Sequence, residues 1–133
     1  MTQLRTGTAR SAIVRVDEVT EERRATVTVV LSWEGTEYVG ETGGDPAATR
    51  RDHLVAAATV AAVDSIADGR SGFRLLDASQ VTAADSDIAL VVVDDPDTDR
   101  PLVGTAVVDA DNRRIATAKA VLDAVNRRLT EKL

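Results

Sequence analysis

The sequence predicts an α+β fold: a tandem βββα repeat with pseudo-two-fold symmetry and two helices packed on sheet. Three observations carry this. Short runs that alternate β-branched or aliphatic residues with polar ones occur in two groups. Each group is followed by one Ala-rich run with helical character. The two halves also match each other at a nearly constant spacing, the mark of an internal repeat.

Residues 1–10 are polar and read as a flexible lead-in, and 11–133 as a single domain of two repeats, about 11–69 and 70–133. Residues 12–19 alternate, with Ile13 or Val14 and then Val16 among polar neighbours, and form a short first strand. The charged stretch 20–24 interrupts the pattern. In 25–33, Val27, Val29 and Leu31 alternate with Thr26, Thr28 and Val30, the clearest strand of the chain. Glu34-Gly35 is a tight turn, and 36–41 returns antiparallel, carrying Tyr38 and Gly40. Gly43-Gly44-Asp45-Pro46 then opens a helix, with Asp45 as N-cap and Pro46 at the first helical position. The helix spans about 47–67 and stops at Asp68-Gly69. Its centre, 54–63, is apolar all round, which requires burial on more than one side.

The scheme then repeats. Residues 73–81 form a strand with Phe73 and Leu75 inward, and Leu76 as a further candidate. Residues 87–93 form an apolar strand, 94–100 an acidic turn around Pro96, and 102–108 a return strand with a central Gly104. Asp109 or Asp111 caps a final helix in which Ile115, Ala118, Leu122, Val125 and Leu129 make one stripe. At an offset of 63, Arg50-Arg51 falls on Arg113-Arg114; at 64, Val39-Gly40 falls on Val103-Gly104; at 62, residues 27–31 fall on 89–93. The drift falls in turns, where insertions are tolerated.

Composition narrows function. At 133 residues with no cysteine and one histidine, the chain excludes disulfides, thiolate metal sites and a His-His metal pair. A net charge of −6 and only three aromatic residues, Trp33, Tyr38 and Phe73, argue against nucleic acid and anionic membrane as partners. No run of about 18 apolar residues suggests a membrane span. Residues 1–10 do not read as a secretory signal, so a cytoplasmic location is expected. Catalytic machinery is not evident. No G-x-S-x-G or phosphate-loop motif is present, and neither an enzyme nor a cofactor is expected.

The candidate sites each carry a plain structural alternative. Gly43-Gly44-Asp45-Pro46 can offer backbone N–H groups to a carboxylate or phosphate, or be a simple strand-to-helix turn. The acidic turn, Asp94 to Asp99, supplies hard oxygen ligands of the kind Ca²⁺ takes, but it lacks the glycine and terminal Glu of a calcium loop and reads as a solvated hairpin turn; no metal is expected. His53 has no nucleophile beside it and reads as a surface residue. The pairs Arg50-Arg51 and Arg113-Arg114 can hold a carboxylate ligand or a partner's acids, or bond to local Asp residues. Arg127, Arg128 and Lys132 complement the dipole of the last helix. Trp33 reads as core, with an interface anchor as the alternative.

The same layout resembles the C-terminal regulatory domain of 2-isopropylmalate synthase over residues 12–130. Three segments carry the resemblance. Phe73-Arg74-Leu75-Leu76-Asp77 is similar to that family's strand after the first helix, Val103-Gly104 to its glycine-bearing return strand, and residues 115–129 to its closing helix. The catalytic barrel of that family has no counterpart, the first loop lacks its G-x-G-N-G-P order, and Ala106 stands where a second glycine is usual. The resemblance implies a regulatory-type module that dimerises and binds a small metabolite, an amino acid in the family, between symmetry-related halves. It places glycine-rich loops on that ligand, which here are Gly40, Gly43 and Gly44, joined by Asp45, and Gly104 in the second repeat. The expected partners are thus a second copy, a small-molecule ligand and a partner enzyme. The alternative is an interaction protein that uses the fold only to dimerise or to dock.

Overall fold

A computed structural model describes residues 10–133, so the lead-in up to residue 9 lies outside the described residues. The elements follow in the order β1 (Ala12–Glu21), β2 (Arg24–Trp33), β3 (Thr36–Gly44), α1 (Ala48–Ile66), β4 (Arg74–Ala83), β5 (Ser86–Asp94), β6 (Leu102–Val108), α2 (Arg113–Leu129) and a closing 3-10 turn at Thr130–Lys132. The strands make two three-stranded antiparallel sheets, β1-β2-β3 and β4-β5-β6. This is the expected tandem βββα architecture.

Several local readings shift. The charged stretch after Val19 does not end the first strand: β1 runs on to Glu21 and turns directly into β2, with Glu22 at a left-handed φ of 49°. Pairing with β2 supplies the hydrogen bonds that the side-chain pattern does not advertise. Asp45 is not the N-cap. The first helix starts at Ala48 after Ala47, and the Asp45 carboxylate accepts the Ala47 N–H at 2.9 Å, so it and Pro46 shape the approach instead. In the second repeat the cap position falls to Asn112, and Asp109 accepts the N–H groups of Asp111 and Asn112. Asn112 returns a contact by accepting the Asp109 N–H at 2.7 Å. Leu76 is exposed, because the register shifts between Leu75 and Asp77 and turns it out of the core. The matching irregularity lies between Ile13 and Arg15, so both first strands bend at equivalent points.

Each helix touches both sheets. The first packs on β2 and β3 and reaches β4; the second packs on β5 and β6 and reaches β1; the two helices also touch each other. They form the layer between the sheets, which explains the all-round apolar centre of α1: Leu54, Val55, Ala58, Thr59, Ala62 and Val63 are all buried. The inward sides of the central strands, Val27, Val29 and Leu31 in β2 and Ala89, Val91 and Val93 in β5, complete the core. Trp33 is buried in that core, as expected. Thr59 is the one polar side chain at the centre of α1, and its hydroxyl donates to the Val55 carbonyl at 2.7 Å.

Two glycines fix how closely helix and sheet approach. A Cβ on Gly40 would collide with the carbonyl oxygen of Ala58 and the backbone nitrogen of Ala62; a Cβ on Gly104 would collide with the corresponding atoms of Ala120 and Ala124. The helix backbone thus lies directly on the strand backbone, and alanine fills the contact. These contacts also correct the repeat register. Ala58 and Ala62 correspond to Ala120 and Ala124 at an offset of 62, so Arg51, not Arg50, is the counterpart of Arg113. In an Ala-rich helix a one-residue slip changes few side-chain matches, which is why the sequence alone favours 63.

The repeats are also latched crosswise. Ser11, before β1, donates its hydroxyl to Asn126 of α2 at 2.6 Å; Ser71, before β4, donates its hydroxyl to Asp64 of α1 at 2.7 Å. Asp64 and Asn126 are equivalent positions at the offset of 62. Substituting Gly40→Ala or Gly104→Ala should destabilise the protein by about 3 kcal/mol or more, because backbone cannot move aside as a side chain can. Urea denaturation followed by circular dichroism measures this, and Gly35→Ala, where a Cβ meets no atom within 4 Å, isolates the cost of the turn conformation alone.

Candidate functional site

The sequence-predicted glycine set is not gathered at one place. Gly40 and Gly104 lie inside strands, beneath the two helices, where helix backbone occupies the space above them. Gly43 and Gly44 are the last residues of β3 rather than a free loop. Gly43 lies beneath the Arg24 guanidinium and Gly44 against Leu54. Gly44 and Asp45 border two shallow depressions, one beside Glu22, Arg23 and Arg24 and the other beside Arg50 and His53.

A cleft of about 560 Å³ opens instead at the junction of the repeats. It is lined by Glu18 of β1, Arg51 and Asp52 of α1, Gln80 of β4, and Arg113 and Arg114 of α2. The lining follows the pseudo-two-fold: Glu18 corresponds to Gln80, Arg51 to Arg113 and Asp52 to Arg114. One arginine of the first pair and both of the second therefore converge. Arg50 stands apart, on the depression beside His53.

The acids of the cleft are already engaged. Glu18, whose side chain is only 9% exposed, pairs with Arg51 Nε at 3.2 Å. Asp52 accepts from Gln80 Nε2 at 3.3 Å and from Thr117 Oγ1 at 3.4 Å, both in the other repeat. Arg113 and Arg114 have no ion-pair partner among the described residues. Neither helix carries an acid in its first turn, and each has arginines there. That runs against the helix dipole, whose positive end favours anions by roughly 0.3–1 kcal/mol per charge. Among the described residues the cleft thus offers two guanidinium groups without an ion-pair partner, in an electropositive setting that can accept a small anion.

A second polar cluster went unread in the sequence. Asp95 is not part of a solvated turn: its side chain is fully buried. It accepts from Arg128 Nε at 2.9 Å and Lys132 Nζ at 2.6 Å, and also receives the Asp97 N–H at 3.0 Å. Lys132 also pairs with Asp97 and lies 5.3 Å from the centre of the Phe73 ring. Arg128 and Lys132 therefore do more than complement a dipole; they fasten the chain's end to the β5–β6 connection. The only sequence signal was the pair of bases spaced four apart at the end of a helix, which fits a solvated helix end equally well. All charges in this cluster are matched, so it reads as structural. Among the described residues no group of three or more His, Asp or Glu side chains is arranged to hold a metal ion.

Burial pushes the Asp95 carboxyl up, but the hydrogen bonds from Lys132, the Asp97 N–H and Arg128 outweigh it and hold it below the usual carboxylate range. A carboxyl depressed in the folded state stabilises the fold above its unfolded value and loses that contribution as pH falls through the folded one. Asp95→Asn should therefore cost about 2 kcal/mol at neutral pH and flatten the acid limb of the stability curve. Urea denaturation of both proteins between pH 7 and pH 2 checks this; an unchanged acid limb would contradict the role given to Asp95.

No protein-family model matches the chain, and no curated protein matches it. Among the described residues no helix is long and apolar enough to cross a membrane.

Proposed function

We propose that this protein is a non-catalytic, dimeric, regulatory-type module that binds a small anionic metabolite in the cleft between its repeats. The single observation that carries the reading is the convergence of Arg51, Arg113 and Arg114 on one cleft while its acids are engaged within the protein. The regulatory-domain resemblance of the βββα order adds the amino acids as the first ligand class to try, with the α-carboxylate on Arg113 and Arg114. The ligand position differs from the glycine positions that the resemblance implied. A docking role, on a second copy or on a partner enzyme, draws on a different feature: the apolar outer face of the second sheet.

Isothermal titration calorimetry with leucine, glutamate, citrate and inorganic phosphate tests the reading, supported by thermal shift. A ligand at a hundred times its Kd adds about 2.7 kcal/mol to stability, an easily read change. At least one carboxylate should bind saturably, and the Arg113→Ala/Arg114→Ala double variant should bind it at least tenfold more weakly while melting normally. Absence of binding by all four at millimolar concentration, or binding indifferent to the double variant, would refute the cleft as the ligand site.

A further inference from the structure

The two sheets share one fold and are related by the pseudo-two-fold, so each outer face is an internal control for the other. Register assigns the faces. In the first sheet, Asp17, Thr28 and Glu41 stand side by side on the outer surface, and so do Val19, Thr26 and Gly43. In the second sheet the equivalent rows are Ser79, Leu90 and Thr105, and Val81, Ile88 and Val107, with Val92 beside Val103 in the row beyond. Every outward residue in the middle of the first sheet's central strand apart from Val30 is polar; in β5 all three are aliphatic. The run Ile88 to Val93 has the composition of a strand covered on both faces. Yet Val81, Val103 and Val107 are 41%, 56% and 60% exposed. A one-sided antiparallel sheet ordinarily alternates apolar-in and polar-out, as β2 largely does.

We propose that this outer face of the second sheet is where a second copy of the chain pairs, face to face. The proposal rests on the dimeric part of the preceding reading and names its surface. Three arguments select a second copy as the occupant. The first is shape: a twisted, pleated face of aliphatic side chains packs best on another sheet of the same twist, and among the described residues this face has the fuller aliphatic set, Ile88, Leu90 and Val92 with Val81, Val103 and Val107, against Val19, Val30 and Val39 on the first sheet. The second is charge. At a net charge of −6, copies approaching through the first sheet set Asp17, Glu37 and Glu41 against their like, and Arg15 on that face is already paired with Asp17 at 2.8 Å. The second face carries charge only at one end, where Arg74, Asp77 and Asp94 supply both signs, and Arg74 is held loosely, 3.8 Å from Asp94 with 73% of its side chain exposed. The third is area. Strands of 10, 9 and 7 residues, at about 3.3 Å per residue and about 4.8 Å between strands, give a footprint of roughly 400 Å². With side chains standing off the sheet, pairing removes on the order of 1,000–1,200 Å² from the two copies together, the lower end for specific interfaces. An interface of this size suits a reversible pair rather than an obligate one.

Multi-angle light scattering over a concentration series tests the proposal. The mass should rise with concentration from 14.1 kDa towards twice that value. Val103→Lys and Val107→Lys, both on an edge strand and more than half exposed, should fold normally by circular dichroism and weaken pairing at least tenfold. Val39→Lys, the equivalent of Val103 on the first sheet and 54% exposed, should leave pairing unchanged. A wild-type chain that stays monomeric at millimolar concentration overturns the proposal, removes the dimer from the preceding reading and leaves a different protein as the occupant. A dimer that survives both lysine variants, or that Val39→Lys dissolves equally, overturns the proposal alone. The calorimetric result at the cleft is read independently of either.

Discussion

The contact of helix backbone on strand backbone at Gly40 and Gly104 sets the geometry on which the rest depends. It brings each helix down onto its own sheet and leaves the opposite side of that helix near enough for the other sheet to reach. Without this approach the helices would stand off by the length of a side chain, and the Ala-rich layer could not fill the gap. Alanine and glycine are usually taken as weak contributors to a core because they carry little surface. Here their smallness is the contribution: it permits a three-layer stack in which Val27, Val91, Val63 and Val125 are all fully buried.

That stack in turn positions the polar features. Because the helices lie side by side between the sheets, their first turns open together, and β1 and β4 contribute Glu18 and Gln80 from either side. Asp52 bonds across to Gln80 and Thr117, so the two repeats are tied at the cleft as well as by the serine latches. At the other end of α2, Asp95 draws Arg128 and Lys132 onto the β5–β6 connection. The two clusters differ in a way that decides their reading. Around Asp95 every charge has a counter-charge; in the cleft the acids are satisfied, and two arginines have no ion-pair partner among the described residues.

Much of the fold was legible in the chain. Alternation in 25–33 marks β2, the repeat of Val39-Gly40 as Val103-Gly104 marks the return strands, and the apolar centre at 54–63 requires a helix covered on several sides. These signals are local, or repeat at fixed spacing, and sequence carries both. The site was less legible. Gly40 and Gly104 were recognisable as special but not as helix seats, since a glycine under a helix and a glycine beside a ligand look alike in sequence. The Arg pairs aligned one residue out of register, and only the backbone contacts correct it. Asp95 was invisible because Asp94, Asp97 and Asp99 surround it, and nothing local distinguishes the buried acid from its exposed neighbours. Partners 33 and 37 residues away decide that.

The pseudo-two-fold through the cleft has a further meaning. A site lying on a true symmetry axis must present the same groups from both sides, and so can distinguish the ends of a molecule only by breaking its own symmetry. Covalent joining of the two halves lifts that restriction. Here Glu18 corresponds to Gln80, and Asp52 to Arg114, so the two walls of one cleft differ in charge. Such a cleft has direction. An unsymmetrical guest placed there would meet unlike groups at its two ends, which a pair of identical half-chains meeting at the same place could not provide.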